Sequence, residues 1–139
     1  MAGPSTTQST TESGETSRSR ELALAAVRTA AENRGQDLVL LDLREVTPVF
    51  DFFVIATGTS RRQLHAMSEE IDHSLEDDLN DRRMGIEGYS ESRWIVLDYG
   101  SVVIHLFDAD TRAYYDLENL WANAKRLDLS SVIAAVHSP

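Results

Sequence analysis

The sequence contains no cysteine, which excludes disulfide bonds, thiolate zinc sites and cysteine nucleophiles. No apolar run approaches the roughly 20 residues that a membrane-spanning helix needs. Basic residues are scarce as well, since 13 Lys and Arg stand against 23 Asp and Glu, for a net charge of -10. Proteins that bind nucleic acid phosphates directly usually carry the opposite balance. The composition therefore argues against a phosphate-binding surface.

Residues 1–20 contain no Leu, Ile, Val or aromatic residue and are rich in Ser and Thr. Such a segment cannot bury enough apolar surface to offset the entropy lost on ordering, so we predict a disordered leader. Its charges cancel, which places the acidity of the chain after residue 20. It has neither the apolar core of a signal peptide nor the Arg-rich pattern of a mitochondrial transit peptide. We therefore expect a bacterial cytoplasmic protein rather than one of an organelle matrix.

The remaining chain has the length of one domain, and 42% of all 139 residues are hydrophobic. We assign residues 21–125 to this domain and residues 126–139 to a C-terminal extension with room for a short helix. Hydrophobic periodicity predicts the order α-β-β-α-β-β-α. The predicted elements are an Ala-rich helix over Glu21–Arg34, strands over Asp37–Leu43 and Asp51–Thr57, a helix capped by Ser60, strands over Arg93–Tyr99 and Ser101–Phe107, and a helix capped by Asp108 or Asp110.

This order predicts an α/β (α+β) fold with a mixed sheet of about four to five strands. We expect the helices to pack mainly on one face of the sheet. The last helix carries an apolar stripe at helical spacing. Its members are Ala113, Leu117, Leu120, Trp121 and Ala124.

The two strands on either side of Gly100 read as a hairpin with a two-residue loop. Because side chains alternate along a strand, Trp94 and Asp98 share a face with His105 and Phe107. The opposite face is purely aliphatic and is the predicted core side. Large aromatic residues with polar atoms often dominate protein interfaces, so the mixed face is the predicted interaction surface. The alternative is that Trp94 and His105 are ordinary core residues beneath a helix.

Catalytic interpretations of the histidines are weak. His65 and His73 lie eight positions apart, which does not match the i, i+4 pair of a helical zinc site, and we expect both to be solvated. Asp98 and His105 can meet across the hairpin as a dyad, but the sequence places no third group beside them. A structural pair is the commoner outcome. We therefore predict neither catalytic nor metal-binding residues, and no cofactor.

A second alternative is nucleotidyl transfer. A Gly-Thr-Ser turn at Gly58 follows a strand, as in nucleotidyltransferase scaffolds, but the closely spaced acidic residues that hold divalent metal there are missing from the following strand. The paired Arg61 and Arg62 allow local contact with RNA phosphates, although neighbouring acids limit it. The pattern favours a related scaffold without the metal site.

Five motifs follow one another in the order Asp51–Gln63, Glu87–Gly88, Trp94–Gly100, Val103–Phe107 and Arg112–Trp121. In order and spacing they resemble the ribosomal silencing factor (Iojap) family, and the resemblance runs from about Glu21 to Trp121. It implies a nucleotidyltransferase-like scaffold without its chemistry. The sequence departs from the family in its longer leader, after Trp121, and at Ser101, where an acidic residue is frequent.

The resemblance implies a non-enzymatic factor that binds the large ribosomal subunit at its intersubunit face, through large-subunit ribosomal protein fourteen. There it would block joining of the small subunit and repress translation, with a further role in large-subunit biogenesis. A homodimer in solution is a tendency of the family. Combined with the hairpin pattern, the resemblance indicates a set of partner-binding residues with little direct contact to nucleic acid. The set is Trp94, Asp98, His105, Arg112, Tyr115 and Glu118.

Overall fold

A computed structural model describes residues 14–137, which form a six-stranded mixed sheet in the order β3-β4-β5-β2-β1-β6. Strands β2 and β5 are parallel, and all other neighbouring strands are antiparallel. The elements are α1 (Gly14–Glu32), β1 (Gln36–Asp42), β2 (Phe52–Gly58), α2 (Arg61–His73) with a π-helical continuation (Ser74–Asp78), β3 (Gly85–Glu87), β4 (Trp94–Asp98), β5 (Val102–Asp108), α3 (Ala109–Tyr115), α4 (Leu117–Leu120), β6 (Lys125–Arg126) and α5 (Ser130–Val136).

The predicted fold class is confirmed, and the two additional strands are short ones at the edges of the sheet, β3 and β6. The larger core lies between one face of the sheet and helices α1, α2 and α5. The aliphatic side of the β4–β5 hairpin belongs to it, as its strand pattern predicts. Its members from the hairpin are Ile95, Leu97, Ile104 and Leu106, all fully buried. None of the helices within residues 14–137 is both long and apolar enough to cross a bilayer.

Helix α1 begins at Gly14 rather than at Glu21, so the end of the predicted leader is helical. Tertiary contacts that no local pattern reveals stabilise this extra length. The Arg18 guanidinium donates a hydrogen bond to the Leu79 carbonyl, and the Ser19 and Ser101 hydroxyls lie 2.6 Å apart. The rest of the predicted leader, residues 1–13, lies outside the described residues. Ser101 thus contacts the first helix of the same chain.

Residues 126–137, which belong to the expected C-terminal extension, pack against the sheet and the first helix. Arg126 pairs with Leu41 as part of an edge strand, and Leu129 is buried in the larger core. Helix α5 then contacts α1 through Val132 and Ile133 on the core side. The predicted C-terminal helix is therefore present, but the boundary expected at residue 125 divides strand β6.

The predicted last helix is broken in two. Asp116 adopts a left-handed conformation with φ 48°, which ends α3 and starts α4 in a new direction. Aspartate is one of the few non-glycine residues that tolerates this region. The break turns Leu117 and Trp121 towards the second face of the sheet, whereas Leu120 stays exposed. The continuous apolar stripe predicted for one helix is therefore wrong.

The loop before β4 depends on a glycine that lies against the strand. Gly88 has φ +77°, and a Cβ atom added there would lie 2.0 Å from the Trp94 carbonyl oxygen. Ser92, at the other end of the loop, also has a positive φ of 59°. The backbone of this loop can therefore approach β4 only because residue 88 has no side chain.

We expect Gly88→Ala to lower the free energy of unfolding by at least about 2 kcal/mol, because both the backbone angle and the contact with β4 become strained. Gly85→Ala is the matched control, since a Cβ atom at Gly85 meets nothing within 4 Å. Urea denaturation of the two variants and the parent measures the effect. Equal stability of both variants would contradict this account of the loop.

Candidate protein-binding face

The second face of the sheet carries a connected set of aromatic rings, which we call the aromatic face. Trp94 is central to it: its ring centroid lies 4.8 Å from Phe107 and 4.9 Å from Tyr115. Phe53 extends the set, with centroids 4.6 Å from His105 and 5.7 Å from Trp121. The strand register predicted from the sequence is confirmed, since Trp94 faces Phe107 and Val96 faces His105. The aromatic face comprises Phe53, Trp94, His105, Phe107, Tyr115 and Trp121.

His105 holds the Trp94 indole in place from below. The indole Nε1–H donates to Nδ1 of His105 over 3.1 Å, and His105 is only 6% exposed. Because an indole nitrogen can only donate, Nδ1 must accept, and the proton of the neutral ring sits on Nε2. Nε2 has no hydrogen-bond partner among residues 14–137. Burial lowers the pKa of His105 to about 4, so the ring is neutral at neutral pH.

This burial makes stability depend on pH. Between the ordinary histidine pKa of 6.5 and the folded value of about 4, the unfolded chain binds a proton that the folded protein excludes. Stability from the neutral ring is complete above pH 6.5 and is lost as the pH falls towards 4, by an amount of about 3 kcal/mol.

We expect His105→Asn to remove this part of the pH dependence, because the amide oxygen can accept from Trp94 but does not titrate. Urea denaturation at several pH values between about 7.5 and about 4.5 compares variant and parent, which share all other titrating groups. The variant should be less stable near neutrality and lose less stability on acidification. Parallel pH profiles would show that His105 does not titrate in this way.

Arg112 and Glu118 form an ion pair with each other. The Arg112 Nη2 lies 2.7 Å from Glu118 Oε2, and the two side chains are 11% and 17% exposed. Arg112 Nη1 also donates to the Thr57 hydroxyl over 2.7 Å, which ties α3 to the end of β2. Although burial alone would raise it, the pKa of Glu118 is lowered by the hydrogen bond and charge of Arg112. The pair thus fastens α3 and α4 beside the aromatic face.

We expect Arg112→Met and Glu118→Leu each to cost about 3 kcal/mol, since each leaves a largely buried charge without its nearest partner. The double variant should cost clearly less than the sum of the single variants. A double-mutant cycle from urea denaturation measures the coupling. Additive costs would mean that the two side chains act independently.

The structure separates the predicted binding residues into two groups. Trp94 is half-buried and Tyr115 is 54% exposed, so both offer surface to a partner. His105 is beneath that surface, and the ion pair already engages Arg112 and Glu118. Their direct contact with a partner stays a prediction, but their visible role is to position the aromatic face.

Asp98 and His105 do not form the dyad considered from the sequence. The Asp98 carboxylate accepts from the Gly100 backbone N–H over 2.8 Å and so caps the hairpin turn. Gly100 has φ +86°, as the first central position of a type II′ turn requires. The His105 Nδ1 accepts from Trp94 instead. Asp98 remains partly exposed at the end of β4.

The start of α2 bears out its predicted cap, because the Ser60 hydroxyl accepts from the Gln63 N–H over 3.1 Å. The prediction that His65 is solvated is wrong. Its ring stacks on Tyr89 with centroids 4.1 Å apart, and Nε2 lies 2.7 Å from the Ser92 hydroxyl. Arg61 donates to the Ser90 carbonyl in the same loop. His73 is exposed, as expected.

Beside Trp94 lies an open groove of about 620 Å³, which we call the Trp94 groove. The sequence did not predict it, because the path of the loop before β4 has no periodic signal. In the sequence, the adjacent tyrosines Tyr114 and Tyr115 are the feature that points to the groove, and Tyr114 is 80% exposed. The charged and aromatic residues that line the Trp94 groove are Glu91, Arg93, Trp94, Asp110, Tyr114 and Tyr115.

Within residues 14–137, no three His, Asp or Glu side chains lie close enough together to hold a metal ion. The remaining candidate site is the aromatic surface with its exposed rings and neighbouring carboxylates. This composition is typical of a protein-binding face. Fold and site together define a mixed α/β domain with an aromatic candidate binding face.

A model of the family described as "Ribosomal silencing factor during starvation" matches residues 16–138. The chain therefore belongs to the ribosomal silencing factor family, as its motifs had indicated.

Relatives and solved structures agree with this assignment. The chain is 35% identical over 116 residues to ribosomal silencing factor RsfS of Halalkalibacterium halodurans, covering 83% of this chain and 97% of the relative. It is 34% identical to the mouse protein "Mitochondrial assembly of ribosomal large subunit protein 1", over 78% of this chain and 48% of the mouse protein. A crystal structure of a Chromobacterium violaceum protein superposes with a TM-score of 0.71 at 31% identity, covering 75% of this chain and 86% of that chain.

Proposed function

We propose that this protein binds the large ribosomal subunit at its intersubunit face, through large-subunit ribosomal protein fourteen, and thereby blocks joining of the small subunit. The result is repression of translation, without catalysis, in a bacterial cytoplasm. A role in large-subunit biogenesis accompanies it. The observation that carries the proposal is family membership over residues 16–138, combined with an exposed aromatic face.

The names of two relatives support the ribosomal target. One is a ribosomal silencing factor, and the mouse relative is named for assembly of the mitochondrial ribosomal large subunit. The net charge of -10 favours a basic protein as the direct contact, because ribosomal RNA would be repelled. We therefore infer that the contact to the subunit is mainly protein to protein.

The aromatic face has the properties of an interface anchor. Trp94 and Tyr115 pack against each other, and each keeps part of its ring accessible. The hydrogen bond to His105 and the contact with Phe107 fix the indole before a partner arrives. A preordered anchor loses little conformational entropy on binding, which favours affinity.

We expect Tyr115→Ala to weaken co-sedimentation with purified large subunits by about tenfold or more, because interface tyrosines are common hot spots. Trp94→Ala should do the same, but it also leaves His105 without its donor, so its folding is checked by thermal denaturation. His73→Ala removes an exposed ring from α2, on the opposite side of the sheet, and should bind as the parent does.

The same proteins are then added to separated subunits, and formation of the joined ribosome is followed by sucrose-gradient sedimentation. The parent should reduce joining in proportion to its binding, and Tyr115→Ala should not. Absence of binding to large subunits would overturn the proposal. Binding without any effect on joining would overturn the occlusion mechanism alone.

A further inference from the structure

We propose that the Trp94 groove binds an arginine side chain of the protein partner. The inference rests on the proposed function for the identity of the partner, and it adds Glu91, Asp110 and Tyr114 to the residues expected to make contact. Three features carry it: the arrangement of aromatic rings, the unpaired carboxylates and the way the groove is held open.

The aromatic rings form two walls at nearly a right angle. The Tyr114 and Tyr115 rings lie 87° apart with centroids separated by 5.0 Å, and Tyr115 in turn contacts Trp94. Faces of tyrosine and tryptophan rings attract cations, and the planar guanidinium of arginine stacks on them with little loss of hydration. A corner of three rings therefore suits a guanidinium better than a purely apolar side chain.

Two carboxylates give the groove its charge. Glu91 and Asp110 both line it, and neither makes an ion pair or hydrogen bond with another side chain among residues 14–137. Arg93 is the one cation in the lining, and its side chain is exposed to solvent. Two carboxylates against one guanidinium leave a net negative groove, so an incoming cation is favoured over an anion.

The groove is preformed. Gly88 brings the loop against β4, and hydrogen bonds from His65 and Arg61 hold the Tyr89 and Ser90 carbonyls of that loop. On the opposite side, the Asp108 carboxylate accepts from the Thr111 N–H over 2.8 Å and starts α3 in the orientation that presents Tyr114. Neither wall needs to move to admit a side chain.

The first test uses N-acetyl-arginine amide as the probe, added to the full-length protein while the indole N–H resonances are followed by NMR. The chain has two tryptophans, so the Trp94 signal is readily resolved from that of Trp121. We expect a saturable shift of the Trp94 resonance. N-acetyl-citrulline amide, which has nearly the same shape without the charge, should give none. Equal shifts with both probes, or no shift with either, would overturn the proposal.

The second test uses binding to purified large subunits. We expect Tyr114→Ala to weaken binding by about fivefold and Asp110→Asn by about threefold, with a flatter salt dependence for the latter. His73→Ala and Asp78→Asn are the matched controls, because they remove an exposed ring and an exposed carboxylate outside the groove. A loss confined to the groove variants supports the subsite.

The outcomes separate this proposal from the proposed function. If the parent binds large subunits and the groove variants bind equally well, or if Asp78→Asn loses as much as Asp110→Asn, the subsite is wrong and the function stands. If the parent does not bind large subunits, but its Trp94 resonance shifts with N-acetyl-arginine amide and not with N-acetyl-citrulline amide, the subsite is supported and the proposed ribosomal function is wrong.

Discussion

The aromatic face depends on the register between β4 and β5, because that register determines which group accepts the hydrogen bond of the Trp94 indole. Trp94 is paired with Phe107 on the neighbouring strand, and His105 lies two residues before Phe107 on the same side of the sheet. A slip of one residue would send the whole set to the opposite face, into the aliphatic core. The two-residue turn after Tyr99, with Gly100 at φ +86° and the Asp98 carboxylate as its cap, fixes the register.

The neighbouring strand extends this order across the sheet. Parallel pairing of β2 with β5 places Ile55 opposite His105 and Phe53 opposite Val103. Both strands are almost entirely buried, so neither can shift without exposing apolar surface. The Phe53 ring then meets His105 at 4.6 Å, which leaves the imidazole enclosed on several sides. The low pKa of His105 is therefore a consequence of the central strand pairing.

Regular patterns could be predicted from the sequence, and irregular backbone could not. Strand alternation correctly divided the β4–β5 hairpin into a core side and an aromatic side, because period and loop length suffice for that inference. The left-handed residue Asp116 and the close approach of Gly88 have no periodic signature, so the split helix and the Trp94 groove were missed. The Arg112–Glu118 pair depends on that split. The role of this pair in holding α3 and α4 together is therefore visible only in the structure.

These irregular positions are what give the aromatic face the shape of a candidate binding surface. Had α3 continued as one helix, Ala113 would share a face with Leu117 and Trp121, whereas in the structure Ala113 is exposed and the other two pack on the sheet. The break at Asp116 places Leu117 of α4 against the sheet, while Tyr114 and Tyr115 of α3 stay exposed beside it. The Arg112–Glu118 ion pair spans the break and holds the two short helices together. Because Arg112 and Glu118 satisfy each other's charge, the two helices are ordered on folding. A partner at the proposed surface would therefore not have to supply the free energy of ordering them.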